Sequence, residues 1–381
     1  MKIIKFAGIK QGWAEVWAVL KVLLSSQHAS DKECDLLERE FARFIGVKYA
    51  LTLNSGSSAN LLALEVLDLP KGSKVITSAC GFPATLAPIL HLGFEPILVD
   101  YDLQTQNIDL DQVEEVASKA EAIIFAHTMG NPVDMDRMMK IARKYRLKVI
   151  EDCCEAVGSK FDGRYVGTFG NLATYSFYPT HQINGLGGGG MLVSNNPEYV
   201  REARSMRNWG KLATSPYFSR PPKEYTTEID GIKYHEQYTY QTVGYNMLMT
   251  EVQAAYLRVQ LKRLPKFIEA RKRNWEYMAK RFKTAMSVCA KSEPAYFGFT
   301  VVCPWRDKLA EYLEANGIKH RPFFAGNITR HEPYKKFRKA YPVADELMQN
   351  ALFFGVWPGI SRKDCDYIIK TIREFNRRSY G

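Results

Sequence analysis

The sequence predicts an α/β protein in which helices cover a mostly parallel sheet and a smaller C-terminal α+β domain follows. Three observations support this prediction. The chain has 381 residues, enough for one large domain and a smaller one. Short apolar runs alternate with helical patterns from about residue 48 to 195. From about residue 205 this alternation gives way to a polar, aromatic segment and then to a long helical pattern.

Five apolar runs between these limits indicate buried strands bounded by turn or polar residues: KYALTLN, KVITSA, EPILVD, AIIFAH and LKVIED. Helical segments lie between them, among them SANLLALEVL (58–67) and MDRMMKIARKY (135–145). This alternation is typical of a parallel sheet, whose ligands bind beyond the carboxyl ends of the strands. The residues that directly follow each strand are therefore the first candidates for chemistry.

The second domain follows a long irregular segment. Residues 205–243 are polar and aromatic, contain proline and show no clear period, which is typical of a functional loop. A helical pattern over 249–282 comes next, and we expect it to be interrupted at Pro265. We place the boundary between a large domain, 1–255, and a small domain, 256–381.

Charge and hydropathy argue against nucleic acid and membrane as partners. The formal net charge is +11, but acidic residues interrupt most basic segments, and the densest, 269–283, resembles the solvated face of a helix. A basic surface also suits a polyanionic small molecule such as a nucleotide sugar. The most apolar stretch, 13–24, contains Glu15 and Lys21, which indicates an amphipathic helix packed on the core rather than an anchor.

The seven cysteines form no CxxC pair and no metal-ligand spacing. An odd, scattered set in a large chain is typical of free thiols in a reducing compartment. We therefore expect no metal site and a cytoplasmic location.

Small and hydroxyl residues mark two strand ends. The segment NSGSSAN (54–60) leads from a strand into a helix, where backbone N–H groups and the helix N-terminus favour an anion such as phosphate. Gly56 and Ser57 lie there, and Ser176 at the end of the run LATYSF is a further phosphate candidate. Serine is also a common helix cap, so a structural role stays open.

Four other features have similar alternatives. Asp152 ends the strand LKVIED and can hold a heteroaromatic N–H⁺ or cap a turn. Phe82 in CGFPAT can stack on a planar ring or belong to the core. His181 can carry a proton or be a satisfied structural histidine. The glycines at 185 and 187–190 indicate positive φ, close approach to a ligand, or flexibility.

Together these candidates supply a phosphate cradle, a ring platform, a carboxylate for a ring nitrogen and a proton carrier along one rim of one sheet. That combination suits pyridoxal-type cofactor chemistry, in which the protein orients the cofactor and tunes its ring nitrogen.

The same residues lie in motifs that resemble the DegT/DnrJ/EryC1/StrS sugar aminotransferases, a family of fold-type I pyridoxal phosphate (PLP) enzymes. The matching segments run in family order from about residue 38 to the C-terminus and include NSGSSANLLAL, GFPATLAPIL, AHTMGNP, GYNMLMTEVQAA and RPFFAGNITR. The resemblance implies an aspartate aminotransferase-like fold, with a large cofactor-binding domain and a small C-terminal one.

Within this family the chain is most similar to the NDP-4-keto-6-deoxyhexose 3-dehydratases. The aminotransferases carry a lysine, which bonds to the cofactor, five residues after the serine of the SF pair. This chain has His181 there, as the dehydratases do, and these use pyridoxamine phosphate (PMP). No cysteine lies between Cys154 and Cys289, so we expect no iron–sulfur cluster. A second departure is GLGGGG where the family usually has GEGG.

The resemblance also implies roles for individual residues. The residues that match cofactor contacts are Gly56, Ser57, Phe82, Asp152, Glu155 and Ser176. In the family pattern, Gly56, Ser57 and Ser176 bind the cofactor phosphate. Phe82 stacks on the cofactor ring, and Asp152 binds its pyridine nitrogen. Asn246 matches a residue that reaches the cofactor of the neighbouring subunit, which implies a homodimer with shared active sites. The candidate substrate contacts are Arg220, Arg321, Asn327 and Arg330.

The implied reaction is removal of the C3 hydroxyl from a nucleotide-linked 4-keto-6-deoxyhexose, giving a 4-keto-3,6-dideoxy sugar. His181 takes a proton from the cofactor and protonates the leaving hydroxyl, work for which an imidazole that titrates near neutrality is suited. Glutamate is the expected amino donor that restores PMP from PLP. The alternatives are a nucleotide-sugar 4-aminotransferase and a non-catalytic relative that binds a sugar nucleotide or the cofactor.

Overall fold

The computed structural model describes residues 3–25, 28, 32–212, 227–282 and 286–380. Its α-helices are α1 (Trp13–Leu23), α2 (Lys32–Ile45), α3 (Gly56–Glu65), α4 (Pro83–His91), α5 (Leu110–Val116), α6 (Met135–Tyr145), α7 (Pro197–Arg207), α8 (Glu251–Ala279), α9 (Arg306–Ala315), α10 (Pro342–Asn350) and α11 (Arg362–Tyr380). Its strands are β1 (Tyr49–Leu53), β2 (Lys74–Ser78), β3 (Glu95–Val99), β4 (Tyr101–Asp102), β5 (Asn107–Ile108), β6 (Ala122–Ala126), β7 (Lys148–Asp152), β8 (Lys160–Phe161), β9 (Arg164–Tyr165), β10 (Leu172–Ser176), β11 (Gly190–Ser194), β12 (Thr227–Ile229), β13 (Ile232–Tyr234), β14 (Ser292–Glu293), β15 (Gly298–Val302), β16 (His320–Pro322) and β17 (Ala351–Gly355).

A seven-stranded sheet in the order β1-β11-β10-β7-β6-β2-β3 forms the centre of the protein. The strands from β10 to β3 pair in parallel, whereas β11 is antiparallel to both β10 and β1. Each of the five predicted strand runs forms one of these strands. The predicted α/β fold with a mostly parallel sheet is confirmed.

The central strands are buried on both faces, which explains their continuous apolar runs. In β6, Ile123 and Phe125 pack into one hydrophobic cluster, and Ile124 between them packs into another on the opposite face. All three side chains are fully buried, and each such burial stabilises the fold by about 1.5–3 kcal/mol. Helices on both faces therefore hold the sheet, and the carboxyl ends of its strands share one edge.

The C-terminal part is a smaller α+β unit in which β15, β17 and β16 form an antiparallel sheet. The first described residues of the chain pack on this unit. Ile4 forms a β-bridge with Ile318, and the Phe6 ring lies 5.2 Å from that of Phe353. The start of the predicted large domain, 1–255, is thus joined to the C-terminal unit.

Helix α8 connects the two parts without a break, so the expected interruption at Pro265 is wrong. A proline inside a helix costs about 3 kcal/mol, because it removes one backbone hydrogen bond and crowds the preceding turn. Burial of Leu264 and Phe267 beside it contributes a similar amount. The predicted boundary between residues 255 and 256 lies inside this helix, and the division into two domains stays a prediction.

Two further expectations are corrected by burial. Helix α1 forms as predicted, but of its apolar residues only Val22 is fully buried, whereas Trp13 is 86% exposed and Trp17 is also exposed. Its buried polar residue is Glu15, which accepts a hydrogen bond from Gln260 of α8 (2.7 Å). In the basic segment 269–283, Arg271 is buried rather than solvated.

The segment 205–243 is partly regular. It begins within α7 and contains the hairpin of β12 and β13, while residues 213–226 lie outside the described part of the chain. In the part that the structure describes, no helix is both long and apolar enough to cross a bilayer.

Candidate active site

The strand ends of the central sheet open into a cavity of about 630 Å³, a volume typical of small-molecule sites. The far wall is aromatic and includes Phe297, Phe324 and Phe353 from the C-terminal unit. The structure brings to this cavity most of the residues chosen from the sequence: Gly56, Ser57, Phe82, Asp152, Glu155, Ser176, His181 and Arg321. The rule that ligands bind beyond the strand ends therefore located the cavity correctly.

The start of α3 forms an anion-binding corner. Ser55 caps the helix by accepting a hydrogen bond from the Ser58 N–H (3.1 Å), which leaves the N–H groups of Gly56 and Ser57 without a helical partner. A Cβ at Gly56 would lie 2.7 Å from the Ser176 Cβ and 2.9 Å from the Cys154 sulfur. Only glycine therefore lets the helix N-terminus approach Ser176, and the corner fits a phosphate.

The glycine run serves the same corner. A Cβ at Gly190 would lie 2.2 Å from the Ser55 carbonyl oxygen, and one at Gly185 would lie 2.1 Å from that of Gly188. Gly189 has a φ of +126°. Of the sequence-based interpretations, positive φ is realised, while the close approaches at Gly185 and Gly190 are to the protein's own backbone and the approach to a ligand stays a prediction. Leu186 N–H donates to the Asn184 side chain (3.2 Å), which holds this loop without a glutamate.

Asp152 lies at the end of β7 in the cavity wall. One carboxylate oxygen accepts hydrogen bonds from the side chains of Asn60 and Thr85, both at 2.8 Å, and the other accepts from the Cys154 N–H (3.1 Å). These donors fix the orientation of a buried carboxyl group that can bind a cationic ring nitrogen. Asn60 and Thr85 were missed as site residues, although both belong to polar segments at strand ends.

Glu155 supplies a second carboxyl group to the wall. Its Oε2 accepts a hydrogen bond from the Met129 N–H (2.8 Å). Burial raises the pKa of Glu155 to about 8, the Met129 N–H opposes that change, and the charge of Asp152 adds to it. At neutral pH Glu155 is therefore mostly protonated and can donate a hydrogen bond into the cavity.

A group of metal-ligand type, His127, Glu151 and Cys153, lies behind the wall. His127 Nδ1 accepts from the Val133 N–H (3.0 Å), and its Nε2 lies 3.2 Å from Glu151 Oε2. Glu151 also accepts three backbone N–H bonds. Because the histidine and carboxylate lone pairs are already used, we interpret this group as a structural network.

His181 presents its imidazole to the cavity beside Phe297, with ring centroids 5.4 Å apart. Its Nδ1 is buried and has no hydrogen-bond partner among the described residues, so Nε2 is the nitrogen that can reach a ligand. Burial, and then the charge of Arg271, lower the pKa of His181 to about 3. The expectation of near-neutral titration is therefore wrong, and at pH 7 the imidazole is neutral and able to accept a proton.

Three other sequence-based candidates, Asn246, Asn327 and Arg330, do not line the cavity. Asn327 is buried, caps a short 3₁₀ turn at Thr329 and donates to Asp345 (2.7 Å). Arg330 pairs with the same Asp345 (2.7 Å). Asn246 is exposed and forms a bridge with Asn208, and Arg220 lies outside the described residues. Arg321 does line the cavity, with its guanidinium 5.1 Å from the centre of the Phe6 ring.

Three features of the cavity fit a pyridoxal-type cofactor. They are the phosphate corner at the N-terminus of α3, the fixed carboxylate of Asp152 at a strand end, and the exposed ring of Phe82. This fold and cavity define the class as the aminotransferase-like fold of PLP-dependent enzymes. The chain belongs to the DegT/DnrJ/EryC1/StrS aminotransferase family, which matches residues 11–373.

Three proteins illustrate the similarity. The lipopolysaccharide biosynthesis protein RfbH of Salmonella typhimurium is 35% identical over 393 residues, covering 96% of this chain and 90% of the relative. The dTDP-4-dehydro-2,6-dideoxy-D-glucose 3-dehydratase of Saccharopolyspora spinosa is 36% identical over 395 residues, covering 95% and 84%. A crystal structure of GDP-4-keto-6-deoxymannose-3-dehydratase with a trapped PLP-glutamate geminal diamine has 28% identity and a TM-score of 0.86, covering 96% and 99%. The protein is thus an enzyme of a PLP-dependent, sugar-modifying family.

Proposed function

We propose that this enzyme is a PMP-dependent 3-dehydratase that removes the C3 hydroxyl of a nucleotide-linked 4-keto-6-deoxyhexose. One observation carries the proposal: His181 lies in the cavity five residues after Ser176, and no lysine is among the described residues of the wall. An aminotransferase of this family relies on a lysine amine at that position. An imidazole cannot form that covalent bond, but it can move protons.

The wall residues divide the work of holding the cofactor. The N–H groups at Gly56 and Ser57, with the Ser176 hydroxyl, would bind its phosphate. Asp152 would bind its pyridine nitrogen, and Phe82 would cover its ring. When bound, PMP supplies the amine that condenses with the C4 ketone and a ring that takes up electrons.

His181 acts as the proton carrier in this proposal. Its neutral Nε2 takes up a proton during the reaction and delivers a proton to the C3 hydroxyl, which leaves as water. Because burial and Arg271 disfavour the charged ring, an imidazolium formed there is a strong acid and gives up its proton readily. The low pKa of His181 therefore favours the donating half of its task.

The relatives support the substrate and the amino donor that we propose. Two of the three are 3-dehydratases of 4-keto sugar nucleotides, and one of these holds a PLP-glutamate adduct. We infer that glutamate restores PMP here as well. We also propose a homodimer with shared active sites, because Phe82 and Tyr178 line the cavity yet are 60% and 57% exposed in the single chain.

The test is turnover with a panel of GDP-, CDP- and dTDP-linked 4-keto-6-deoxyhexoses in the presence of PLP and glutamate. We expect mass spectrometry to find a product that has lost the C3 hydroxyl and carries no new amino group. His181→Asn should lower this turnover by at least about 100-fold and leave PMP binding intact. His91→Asn, at an exposed position on α4, is the matched control.

An aminated product that retains its C3 hydroxyl would establish the aminotransferase instead. Absence of any PLP or PMP absorbance after incubation would establish a relative that does not use the cofactor. A complementary variant, His181→Lys, should bind PLP covalently, detected as a PLP-sized mass increase after borohydride reduction. No mass increase would show that residue 181 does not reach the reactive carbon of the cofactor.

A further inference from the structure

Arg271 is a buried cation with no carboxylate partner among the described residues. It belongs to α8 and is 2% exposed, whereas its neighbours Lys272 and Arg273 are exposed. Removing a charge from water costs several kcal/mol unless hydrogen bonds or an opposite charge compensate for it. An apolar side chain would pack at this position of α8 without that desolvation cost. Helix packing therefore does not explain the guanidinium.

Among the described residues, Arg271 donates hydrogen bonds to main-chain carbonyls alone. Its Nη1 donates to Tyr296 (3.2 Å) and to Phe297 (3.1 Å), and its Nη2 donates to His181 (3.0 Å). The planar guanidinium thus joins α8, the segment before β15 and the main chain of His181 at one point.

The same junction holds the imidazole from other directions. The Gln182 side chain donates to the Ala295 carbonyl (2.8 Å), next to the two carbonyls that Arg271 binds. The Phe297 ring packs against the His181 ring, with centroids 5.4 Å apart. Main chain and ring of His181 are therefore both fixed to the segment that Arg271 anchors.

We propose that Arg271 is the positioning residue of His181: its hydrogen bond fixes the main chain of the histidine, and its charge adds to burial in disfavouring the protonated form of the cavity-facing imidazole. The inference rests on the proposed function in one respect, that His181 is the proton carrier. The other titratable groups around the cavity are Asp152 at the end of β7, Cys154 and Glu155 after it, Tyr101 of β4, Tyr178 from a loop, and Arg321 of β16. Burial of the ring acts in the same direction as the Arg271 charge.

The experiment is an NMR titration of the ¹⁵N-histidine-labelled protein without cofactor, in which His181→Asn identifies the His181 signal. Arg271→Gln removes the charge but keeps N–H donors for the carbonyls, and Arg271→Lys keeps the charge but loses the planar fork. Arg273→Gln removes an exposed charge from the same helix and is the matched control.

We expect Arg271→Gln to raise the pKa of His181 by about one unit or more. Arg271→Lys should leave that pKa low but reduce the kcat of dehydration at least about tenfold with little change in KM, because the imidazole is no longer held in place. Arg273→Gln should change neither quantity, since its exposed charge is screened by solvent.

Equal pKa values of His181 in the wild type, Arg271→Gln and Arg271→Lys proteins would overturn the electrostatic half of the proposal. Undiminished kcat in Arg271→Lys would overturn the positioning half. If Arg271→Gln does not fold, which loss of histidine shift dispersion reveals, the lysine variant still tests the positioning half. The titration needs no turnover, so its result stands whichever product the enzyme makes, while His181→Asn tests the proposed function separately.

Discussion

Gly190→Ala is the sharpest test of how the phosphate corner is built. The added Cβ would lie 2.2 Å from the Ser55 carbonyl oxygen and 2.8 Å from the Gly56 nitrogen. Gly190 pairs with Leu53 on one side and with Ser176 on the other, so the residue cannot move without breaking a strand ladder. The clash must therefore be relieved by moving the start of α3, which carries the N–H groups that we assign to phosphate.

The size of the effect follows from the packing. Overpacking in a core costs about 1–3 kcal/mol, and a contact with backbone on the other side belongs at the upper end, about 3 kcal/mol. For 381 residues the entropy of unfolding is about 0.8 kcal/mol/K, so this cost lowers the Tm by about 4 °C. Displacement of the N–H groups should also weaken PLP binding at least about tenfold, or about 1.4 kcal/mol.

Two neighbouring glycines provide the controls. At Gly188 the nearest atom to an added Cβ is 3.4 Å away, so Gly188→Ala should change the stability by less than about 0.5 kcal/mol. Gly187 has open space but a φ of +105°, so Gly187→Ala should cost about 1 kcal/mol through backbone strain alone. Thermal unfolding and a PLP absorbance titration measure all three variants. If Gly190→Ala has the same Tm as Gly188→Ala and binds PLP with the affinity of the wild type, the phosphate corner is not built as described.

Three further predictions concern other parts of the molecule. Burial raises the pKa of Glu155 to about 8 in the folded state, so protonation of this group contributes stability that is fully present below about pH 4.5 and is lost as the pH rises through 8. Glu155→Gln should therefore make the fall in Tm between pH 5 and 8 less steep. An unchanged slope of Tm against pH would contradict this prediction. Glu38→Gln breaks a buried pair with Arg204 (2.7 Å) and should cost about 3–5 kcal/mol by denaturant unfolding, whereas Glu198→Gln, in an exposed pair, should cost less than about 1 kcal/mol. Phe82→Ala should leave the Tm within about 1 °C, because the ring is 60% exposed, yet weaken PLP binding about tenfold; unchanged binding would remove Phe82 from the cofactor site.

The strands were predictable because each is a short apolar run buried on both faces. Once they are ordered into a parallel sheet, their carboxyl ends share an edge, and that geometry alone brings Gly56, Asp152 and Ser176 to one cavity. Strand β11 was missed because the glycine run hides its start. Its antiparallel place between β1 and β10 depends on pairing partners far away in the sequence.

The buried charges could not be predicted from local pattern. Glu15 bonds to Gln260, which is 245 positions away, and Arg271 bonds to His181, which is 90 positions away. In each case one flanking residue is exposed, Ala14 beside Glu15 and Lys272 beside Arg271, and a charged side chain in such a helical pattern indicates a solvated position. Only the fold shows that these polar groups are buried and hydrogen-bonded, and the charge of Arg271 adds to burial in lowering the pKa of His181.

In the function that we propose, the exchange of lysine for histidine links the phosphate corner to His181, the proposed proton carrier. A chain without a covalent bond to its cofactor must retain it through the wall alone, which gives the tight packing of Gly56 and Gly190 a direct consequence for binding. A covalent bond supplied by His181→Lys should relieve that dependence. We therefore expect Gly190→Ala to release PLP during dialysis in the His181 protein but not in the His181→Lys background. Equal loss of PLP in both backgrounds would separate the corner from cofactor retention.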